Sequence, residues 1–535
     1  MNIFSVFHTN EFDSAPLLIR EDNVVSVGEF KSVVKTHGAY LKNLDTKNIA
    51  IISENAFDFA VWFFACVYSN KDIFLVSDVK KSGDLSLDYE IADSVLPEKD
   101  SDFELVQPDF DSVFVHLFTS GSTGKPKHVK KTFSIILDEA AAVFEAHSSV
   151  YFGKKDLVHI ISSVSAQHMY GLCYYFLLPM CHFDRMIMDA STVVYPSQVN
   201  VNNCVFVSSP SFMETFQKYD EKPANPPLCV FSAGAKLKQS VYEYFEKFCQ
   251  VIEVFGCTEC GTIGYKNSSL EEGFFCYKGV CVSADSNNCL VVESPYFLEN
   301  RLVSGDIVKF DKNNCFIPCR RNDRILKIQE KRISAPEIEQ ELLKNDYISD
   351  AYCFKFDDKL ACAAVLSASG VDFALENNIS KYFKAYLLDK FDIVPQKWKF
   401  LYCIPKNCAG KTDADKITEI FSTNLSFPVV LNYRLSEQTA DFEMVFLKSS
   451  NFFNGHFNNL PILPGVVQLN FAGYFIQEAF GIKINTEIVK KIKFSKVIKP
   501  QERVTLSLAK NGKNISYTFK KGDTVCSSGI MEEKL

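Results

Sequence analysis

A loop rich in glycines and hydroxyl side chains follows an apolar segment in the first quarter of the chain. VHLFT (115–119) is followed by SGSTGKPK (120–127). Glycines let a backbone turn tightly and approach an anion, and consecutive amides, hydroxyl groups and a lysine ammonium donate hydrogen bonds to it. The loop does not match the G-x-x-x-x-G-K-[ST] pattern of the Walker loop. Its chemistry predicts a polyphosphate cradle made of Thr119, Ser120, Gly121, Ser122, Thr123, Gly124 and Lys125.

Glu259 and Lys411 lie in later segments that combine glycine, cysteine and threonine. Glu259 follows Thr258 in VIEVFGCTECG (251–261). Lys411 lies in PKNCAGKTDADKI (405–417). Taken alone, such a glutamate is more often a helix cap or an ion-pair partner, and such a lysine is more often a solvated surface residue. Their order behind the loop is what favours a functional interpretation.

Together these segments resemble the adenylate-forming superfamily of acyl- and aryl-CoA synthetases, luciferases and peptide-synthetase adenylation domains. After the loop, the family's other motifs follow in the family's order. They are VSAQHMYG (164–171), FSAGAKL (231–237), VIEVFGCTECG (251–261), VSGDIVKF (303–310), CRRNDRILKIQEKRISAPEIE (319–339) and PKNCAGKTDADKI (405–417). The resemblance covers residues 1 to about 420.

The resemblance implies a role for each matched residue. Glu259 would hold the Mg²⁺ that offsets charge on ATP, and Phe255, where the family usually has Tyr, would stack on the adenine. Asp306 would accept hydrogen bonds from the ribose hydroxyls. Lys411 would bridge the acyl carboxylate and the α-phosphate and act as the catalytic residue. The remaining implied residues are Gly234, Ala235, Gly256, Thr258 and Arg321 for ATP, His168 and Gly171 for the acid substrate, and Asp323 for the hinge.

The chemistry implied by the resemblance has two steps. A carboxylate first attacks the α-phosphate of ATP, and the acyl-adenylate then passes its acyl group to a thiol. The thiol is either that of CoA or that of the phosphopantetheine arm of an acyl carrier protein, and the sequence leaves both open. One departure concerns the second step, because Glu330 stands where the family has a glycine near the pantetheine path.

A second resemblance concerns residues from about 430 to 535. NFFNGHFNNLPILPGVVQLNF (451–471) places a histidine in an aromatic loop, and Pro464-Gly465 then opens an apolar helix whose free amides could bind a carbonyl oxygen. This is similar to the hotdog-fold 3-hydroxyacyl-carrier-protein dehydratases. The resemblance implies His456 as the acid/base and Gly465 as a substrate-binding residue.

Asn470 occupies the position of that family's catalytic acid. Because an amide cannot cycle a proton at neutral pH, Asn470 can only position a hydroxyl or a water molecule. Two alternatives to a dehydratase stay open. The domain could be a thioesterase that uses Asp441 or Glu443, or a non-catalytic module that binds acyl thioesters and dimerises. In each case the hotdog resemblance implies a homodimer.

The elements that must position these residues can be read from apolar periodicity. Apolar runs at 49–53, 72–77, 205–209, 228–234 and 251–256 predict buried strands, and residues 57–69 predict an apolar helix between the first two strands. This alternation favours a parallel sheet covered on both faces. We therefore predict a large α/β adenylation domain over 1–320, a small, mobile α+β ligase domain over 321–423 and an α+β hotdog domain over 424–535. Residues 424–432 are expected to form the connection.

Composition narrows the class of protein further. The 535 residues include 57 Lys and Arg against 65 Asp and Glu, which gives a net charge of −8 and no general attraction to nucleic acid. The apolar runs are too short to predict membrane insertion, and the first residues do not resemble a secretion signal, so we expect a cytoplasmic protein. Cys257 and Cys260 form a CxxC pair with no second pair at a zinc-like spacing, so zinc is not expected. Fusions of this kind resemble accessory enzymes of aryl-polyene, fatty-acid and polyketide pathways.

Overall fold

The computed structural model describes residues 2–53, 55–76, 89–92, 103–119, 127–151, 156–194, 196–199, 201–219, 225–321, 324–328, 331–407, 411–423, 426–453 and 460–534. The chain divides into two compact units. The first unit contains Met1–Asp323 together with Asn407–Lys411, and the second contains Arg324–Lys406 together with Thr412–Leu535. The second unit therefore includes the whole hotdog region as well as most of the small ligase region.

The first unit alternates strands and helices. Its described strands are β1 (Pro16–Arg20), β2 (Asn23–Ser26), β3 (Asn48–Ile52), β4 (Asp72–Leu75), β5 (Tyr89–Ala92), β6 (Phe114–Thr119), β7 (Lys127–Thr132), β8 (Val158–Ser162), β9 (Met186–Thr192), β10 (Cys204–Ser208), β11 (Cys229–Ser232), β12 (Gln250–Cys257), β13 (Gly261–Lys266), β14 (Phe275–Cys276), β15 (Cys281–Ala284), β16 (Cys289–Glu293), β17 (Arg301–Phe310) and β18 (Phe316–Arg321). Its described helices are α1 (Val27–Lys42), α2 (Ala56–Tyr68), α3 (Phe133–Ala146), α4 (Ser148–Tyr151), α5 (Met169–Gly171), α6 (Leu178–Cys181), α7 (Pro210–Tyr219) and α8 (Gln239–Phe245), with a π-helical segment Leu172–Leu177 between α5 and α6.

The described strands of this unit form three sheets, ordered β14-β13-β12-β11-β10-β8-β9-β1-β2, β5-β3-β4-β6-β7 and β15-β16-β17-β18. In the first sheet, β8 to β12 run parallel to one another, and in the second, β3, β4, β5 and β6 do so. The five predicted strands and the predicted parallel pairing are confirmed. They could be predicted because central strands covered on both faces are continuous apolar runs.

The predicted apolar helix at 57–69 is also confirmed as α2, which is buried along almost its whole length. Asn55 caps it, because the side-chain oxygen accepts hydrogen bonds from the amides of Phe57 and Asp58 at 2.8 and 3.2 Å. A helix this apolar must be enclosed, and it packs in the largest core of the chain with residues of α1 and α3.

The second unit begins with the small α+β region. Its described elements are β19 (Ile325–Ile328), β20 (Lys331–Ser334), α9 (Ala335–Leu343), β21 (Ile348–Phe356), β22 (Lys359–Leu366), α10 (Ala368–Glu376), α11 (Ile379–Leu388), β23 (Lys397–Phe400) and α12 (Ala414–Ser422). The strands pair as β19-β20 and as β21-β22-β23. Arg324 and Glu339 fix the start of α9 against β21 with a two-bond ion pair at 2.7 and 2.9 Å.

The same unit continues into the hotdog region, where a long helix is wrapped by one sheet. Its elements are β24 (Val429–Leu435), β25 (Thr439–Val445), α13 (Gly465–Phe480), β26 (Ile484–Phe494), β27 (Arg503–Asn511), β28 (Asn514–Lys521) and β29 (Thr524–Glu533). The sheet has the order β24-β25-β27-β28-β29-β26. The predicted apolar helix and the strands after it are confirmed.

The prediction that residues 424–432 are only a connection is wrong in its second half. The edge strand β24 begins at Val429, directly after Pro428. Proline lacks an amide donor but is tolerated next to the first residue of an edge strand, so it marks the beginning of this strand instead of excluding it. Among the described residues, no helix is both long and apolar enough to cross a membrane.

Candidate active sites

Strands β6 and β7 frame the predicted phosphate cradle. They are antiparallel, and their last described pair is Thr119 opposite Lys127, with residues 120–126 between them in the sequence. These seven residues lie outside the part of the chain that the structure describes. The two flanking strands therefore fix where the loop begins and ends, and the roles of its members stay predictions.

The predicted Mg²⁺ ligand lies in a tight hairpin turn. Thr258, Glu259 and Cys260 connect β12 to β13, and the hairpin closes with Cys257 opposite Gly261. Thr258 and Glu259 are half-buried. Gly261 has a φ of +73°, a conformation that glycine adopts without strain. The turn thus presents one carboxylate on a short, well-defined connection.

A buried ion pair supports this turn from below. The Glu139 carboxylate accepts a hydrogen bond from the amide of Thr262 at 2.8 Å and lies 3.4 Å from the Lys131 ammonium. Both side chains are at most 1% exposed, and Lys131 also donates to the carbonyl of Tyr296 at 2.7 Å. A Cβ at Gly261 would lie 2.3 Å from a Glu139 oxygen. The glycine is therefore required for the carboxylate to reach the turn.

Sequence reasoning did not find Glu139 or Lys131. Glu139 stands in the apolar segment FSIILDEAAAVFEA, which becomes α3, and Lys131 ends the basic run after the phosphate loop. A single acid in an apolar helix face was an available signal, since carboxylates are rarely buried unless they are paired.

The residues expected around the adenine lie on two neighbouring strand ends. Gly234, with a φ of +96°, and Ala235 are exposed in the bend after β11. Phe255 on β12 is half-buried, with its ring centroid 5.6 Å from that of Phe274 and 5.3 Å from that of Phe316. Gly256 follows, and a Cβ there would lie 2.5 Å from the carbonyl oxygen of Gly261. Because β11 and β12 are parallel neighbours, these segments meet at one edge of the sheet.

The predicted ribose-binding aspartate is oriented by its own motif. The Ser304 hydroxyl donates to Asp306 Oδ2 at 3.1 Å and accepts from the Asp306 amide at 3.0 Å. Asp306 on β17 also lies opposite Arg321 on β18 in the strand register. The structure therefore brings these two predicted residues together, and Ser304 holds the Asp306 carboxylate in its orientation.

The predicted substrate histidine and the predicted catalytic lysine are within electrostatic reach of each other. His168 precedes α5, and its Nε2 has no hydrogen-bond partner among the described residues. Burial, and secondly the positive charge of Lys411, lower the pKa of His168 to about 4. Both residues belong to the first compact unit. His168 is therefore neutral at pH 7, and the lysine motif, 243 positions later in the chain, lies within electrostatic reach of it.

The backbone around these two residues is tightly fixed. Gly171 is buried, and a Cβ there would lie 2.0 Å from the carbonyl oxygen of Ser165, so no larger residue fits. At the other segment, the Lys411 amide donates to Asn407 Oδ1 at 3.0 Å, and the Asn407 amide donates to the Lys411 carbonyl at 2.8 Å. The side chain of Lys411 itself is exposed. Asn407 and Lys411 thus hold each other's backbone, and the Lys411 side chain is accessible to solvent.

In the hotdog region, the helix start is held by a residue that sequence reasoning missed. Gln468 is 3% exposed; its amide donates to the Leu463 carbonyl at 3.1 Å, and its oxygen accepts from the Ser527 hydroxyl at 2.6 Å. Gly465 begins α13, and a Cβ there would lie 2.7 Å from the ring of Phe494. Asn470 is exposed on the same helix, away from the residues that face the core.

The two acids considered for a thioesterase are on the wrong side of the sheet. Ala440, Phe442 and Met444 on β25 are buried in the core with α13. Since side chains alternate along a strand, Asp441 and Glu443 point to the opposite face, where Asp441 is exposed and Glu443 is 3.9 Å from Arg503. Neither faces the helix of its own chain, and the thioesterase alternative stays a prediction.

Two protein families match the chain. The AMP-binding enzyme family matches residues 70–275, and the ApeI-like family, described as ApeI dehydratase, matches residues 432–530. Along the chain, the segment that matches the AMP-binding enzyme family therefore precedes the segment that matches the ApeI-like dehydratase family. The predicted fold class, an α/β adenylation domain with an α+β hotdog domain behind it, is thereby confirmed.

Relatives and solved structures agree with this architecture. The chain is 23% identical over 302 residues to a 4-coumarate–CoA ligase of Cereibacter sphaeroides, and this match spans 55% of the chain and 68% of the relative. It is 24% identical over 344 residues to acyl-CoA synthetase 7 of Caenorhabditis elegans, and this match spans 53% of the chain and 61% of the relative. The fold is similar to O-succinylbenzoate coenzyme A synthetase of Bacillus subtilis in complex with AMP, with a TM-score of 0.60, 15% identity and coverage of 77% of the chain and 96% of that structure.

Several predicted residues of both domains lie outside the described part of the chain. In the AMP-binding domain these are Ser120, Gly121, Ser122, Thr123, Gly124 and Lys125, and the hinge residue Asp323 and Glu330 follow them. In the ApeI-like domain, His456 is the only such member of the predicted site. The side chains of Thr119 and Arg321 are likewise outside the description, although both backbones are in strands.

Proposed function

We propose that the chain activates a carboxylic acid with ATP through an acyl-adenylate and transfers the acyl group to a thiol. The observation that carries the proposal is that Asn407–Lys411 belong to the same compact unit as His168 and the segments expected to bind ATP, where the Lys411 ammonium acts electrostatically on His168. The Lys411 ammonium and the neutral His168 imidazole therefore belong to one region of the first unit. That juxtaposition suits the recognition of a carboxylate next to a phosphate, and it supports an AMP-forming acid–thiol ligase.

In the first step, the residues of the AMP-binding domain bind and orient ATP. Phe255 stacks on the adenine, and Asp306, pre-oriented by Ser304, accepts hydrogen bonds from the ribose hydroxyls. The carboxylate oxygen of the acid attacks the α-phosphorus, the bond to the bridging oxygen of pyrophosphate breaks, and pyrophosphate leaves. The Lys411 ammonium contacts the carboxylate and an α-phosphate oxygen, so it stabilises the negative charge that increases in the transition state.

Mg²⁺ fits the turn that holds Glu259. The carboxylate stands on a three-residue connection that the Glu139–Lys131 pair supports, and no group of three or more His, Cys, Asp or Glu side chains among the described residues offers a separate cage. A site with one protein carboxylate and the triphosphate oxygens is what Mg²⁺ favours. When bound, the ion would offset charge on the leaving pyrophosphate.

In the second step, a thiolate attacks the carbonyl carbon of the adenylate and AMP leaves. Either CoA or a carrier-protein phosphopantetheine arm can supply the thiol, and the presence of an ApeI-like domain on the same chain favours the carrier protein. Glu330 adds a carboxylate near the expected thiol path. The acid is an aryl or a fatty acid, and the setting is a cytoplasmic aryl-polyene, fatty-acid or polyketide type pathway.

For the ApeI-like domain we propose that it binds a 3-hydroxyacyl thioester at the start of α13. The amides that follow Pro464 point out of the helix end, and Gln468 holds that end in place. His456 would remove the α-proton. Because Asn470 is exposed and cannot donate a proton readily, dehydration depends on how well the amide positions the leaving hydroxyl.

We propose that this domain forms a homodimer through β26. That strand is at the edge of its sheet. Near its end, the Ile492 and Phe494 side chains are 41% and 52% exposed, and Val466 at the start of α13 is 63% exposed. An exposed apolar edge strand is otherwise a site of aggregation, so its pairing with a second copy has a clear physical benefit. Sedimentation equilibrium of the full chain should give a dimer, and Phe494→Lys should give a monomer.

The ligase proposal is tested by acid-dependent pyrophosphate release over a panel of aryl and fatty acids. We expect release with at least one acid, and thioester formation by mass spectrometry when CoA or a carrier protein is added. Absence of release with every acid would contradict the proposal. Release without thioester formation on either thiol would limit the activity to the first step.

A further inference from the structure

The segment that carries Lys411 is closed at its base within the second unit. Lys406 and Thr412 form an antiparallel bridge, and the amide of Asp413 donates to the carbonyl of Pro405 at 2.9 Å. The described residues between these pairs, Asn407 and Lys411, are therefore positioned by whatever holds the two flanks. The flanks are the stretch from Tyr402 to Lys406 on one side and the first turn of α12 on the other.

Both flanks contact one buried carboxylate of the ApeI-like domain. Tyr402, five residues before Asn407, donates its hydroxyl to Glu478 Oε2 at 2.7 Å. Lys416, five residues after Lys411, forms an ion pair with Glu478 Oε1. Glu478 is on α13, and its side chain is 9% exposed. A single glutamate therefore connects the two ends of the lysine loop.

The groups around Glu478 keep this arrangement in one geometry. Burial raises the pKa of Tyr402 far above its usual value, so the hydroxyl remains a donor at any physiological pH. Its ring packs against Phe475, Tyr433 and Phe442 with centroid distances of 6.0, 5.7 and 6.2 Å. A buried, charge-assisted contact of this kind is strong and is costly to break on one side only.

Apolar contacts join the same two regions elsewhere in the second unit. Val429 and Leu447 of the hotdog region are buried in the core of the small ligase region, together with residues of α9, α10 and β21. Phe427 packs on Phe471 and Tyr474 of α13, with centroid distances of 5.7 and 5.1 Å, and also against the buried cluster of the small ligase region that includes Phe354 and Phe421. The two regions therefore form one compact body, which is how the chain divides.

We propose that Glu478 of the ApeI-like domain is a positioning residue for Lys411, so that the adenylation step depends on a side chain of the other domain. This inference rests on the proposed ligase function. It gives the fusion a physical role, because the long helix of the hotdog supplies a rigid support for a loop that must place one ammonium group accurately. A displacement of about 1 Å at a reacting group can lower a rate roughly hundredfold.

The test compares Glu478→Ala, Glu478→Gln and a control, Glu419→Ala, in the full chain. Glu419 is an exposed glutamate on α12, one helix turn beyond Lys416. We expect Glu478→Ala to lower kcat for acid-dependent pyrophosphate release about 10- to 100-fold with KM for ATP unchanged, because the ATP-binding residues are in the other unit. Glu478→Gln should recover part of the loss, since its amide oxygen can still accept one of the two hydrogen bonds. A kcat for Glu478→Ala equal to that of the control, or a parallel change in KM for ATP, would overturn the proposal.

Hydrogen–deuterium exchange of the same variants separates this inference from the ligase proposal. Glu478→Ala should increase exchange over 402–407 and 411–422 relative to Glu419→Ala, whereas exchange in β27 and β28 should be unchanged. If the wild type releases no pyrophosphate with any acid, the ligase proposal fails. Unchanged exchange over 402–407 and 411–422 in Glu478→Ala would independently overturn the positioning role of Glu478. Increased exchange across the whole second unit would also overturn it, because Glu478 would then be a general stability residue.

Discussion

At the scale of single residues, Ser304 shows how a small side chain can set the affinity for a nucleotide. Its hydroxyl holds the Asp306 carboxylate that we expect to bind the ribose. Ser304→Ala should raise KM for ATP roughly tenfold, since a hydrogen bond to a charged group contributes about 1.5–3 kcal/mol, and kcat should change little. Ser304→Thr keeps the hydroxyl and should behave as the wild type. An unchanged KM in the alanine variant would show that Asp306 needs no such orientation.

Asn470 provides a second residue-scale prediction. Because its side chain is exposed, Asn470→Asp should not disturb the core, yet it introduces the ionisable group that the dehydratase resemblance calls for. General acid–base assistance is typically worth about 10²–10⁴-fold, so enoyl-thioester formation from a 3-hydroxyacyl carrier-protein substrate should increase. Mass spectrometry of the full-length variants measures the product.

Two controls accompany the Asn470 variant. His456→Ala should abolish dehydration both in the wild type and in Asn470→Asp, and Gln477→Ala, an exposed change on the same helix, should have no effect. Rapid dehydration by the unmodified chain would mean that the amide is sufficient. If His456→Ala formed the enoyl thioester as fast as the wild type, the dehydratase interpretation would be wrong.

Sequence motifs predict a site residue when the residues that orient it are close to it in the sequence. Asp306 is one, because Ser304 stands two positions away and Arg321 is carried by the next strand. Glu139, Gln468 and Glu478 could not be predicted in this way. Each has a partner that is distant in the sequence: Thr262 is 123 positions from Glu139, Ser527 is 59 from Gln468, and Lys416 is 62 from Glu478. Only the tertiary fold brings these groups together.

At the scale of elements, the β12–β13 hairpin is the most constrained part of the ATP site. Gly261→Ala would combine a positive φ, which costs a non-glycine residue about 1–2 kcal/mol, with a clash against Glu139, so we expect a loss of roughly 3 kcal/mol in unfolding free energy. Gly512→Ala is the matched control, because its φ is +58° and a Cβ there meets nothing within 4 Å. Urea denaturation of both variants measures the difference.

The result of that comparison depends on the close approach of Glu139 to the hairpin. An equal loss of stability in Gly261→Ala and Gly512→Ala would show that the carboxylate yields to the added methyl group. In that case the buried pair would not be a rigid support of the Glu259 turn.

Apolar periodicity predicted the central elements better than the edges. The strands at Cys204–Ser208 and Cys229–Ser232 are fully buried, so each of their residues is apolar or small, and the signal is unambiguous. The edge strand β24 has a mixed burial pattern and a preceding proline, both of which also occur in connections. Edge strands have solvent on one side, and their sequences are correspondingly less distinctive.

At the scale of the whole molecule, the distribution of histidines predicts different acid stabilities for the two units. His116 and His147 are 6% and 3% exposed, and burial lowers the pKa of each to about 4. In the unfolded chain each titrates near 6.5. Their neutral forms therefore stabilise the first unit above pH 6.5, and this stability is lost as the pH falls toward 4, by up to about 1.4 kcal/mol per pH unit for each.

The two tryptophans of the chain allow this prediction to be measured unit by unit. Trp62 is in the first unit and Trp398 is in the second. Fluorescence-detected urea denaturation of Trp398→Phe should show a midpoint that decreases from pH 7 to pH 5, whereas Trp62→Phe should report a smaller change. Eight of the nine histidines precede residue 324, so equal shifts in the two variants would contradict the assignment to buried histidines.

The most direct test of the proposed activity is ATP–pyrophosphate exchange in the presence of an accepted acid. Lys411→Ala should lower the exchange rate by about 10²–10³-fold, as the loss of a group that stabilises an oxyanion does, with little change in KM for ATP. Lys406→Ala, an exposed lysine at the base of the same loop, should exchange at nearly the wild-type rate. Exchange by Lys411→Ala at the wild-type rate would contradict the central claim that this ammonium group, beside His168, acts in acid activation.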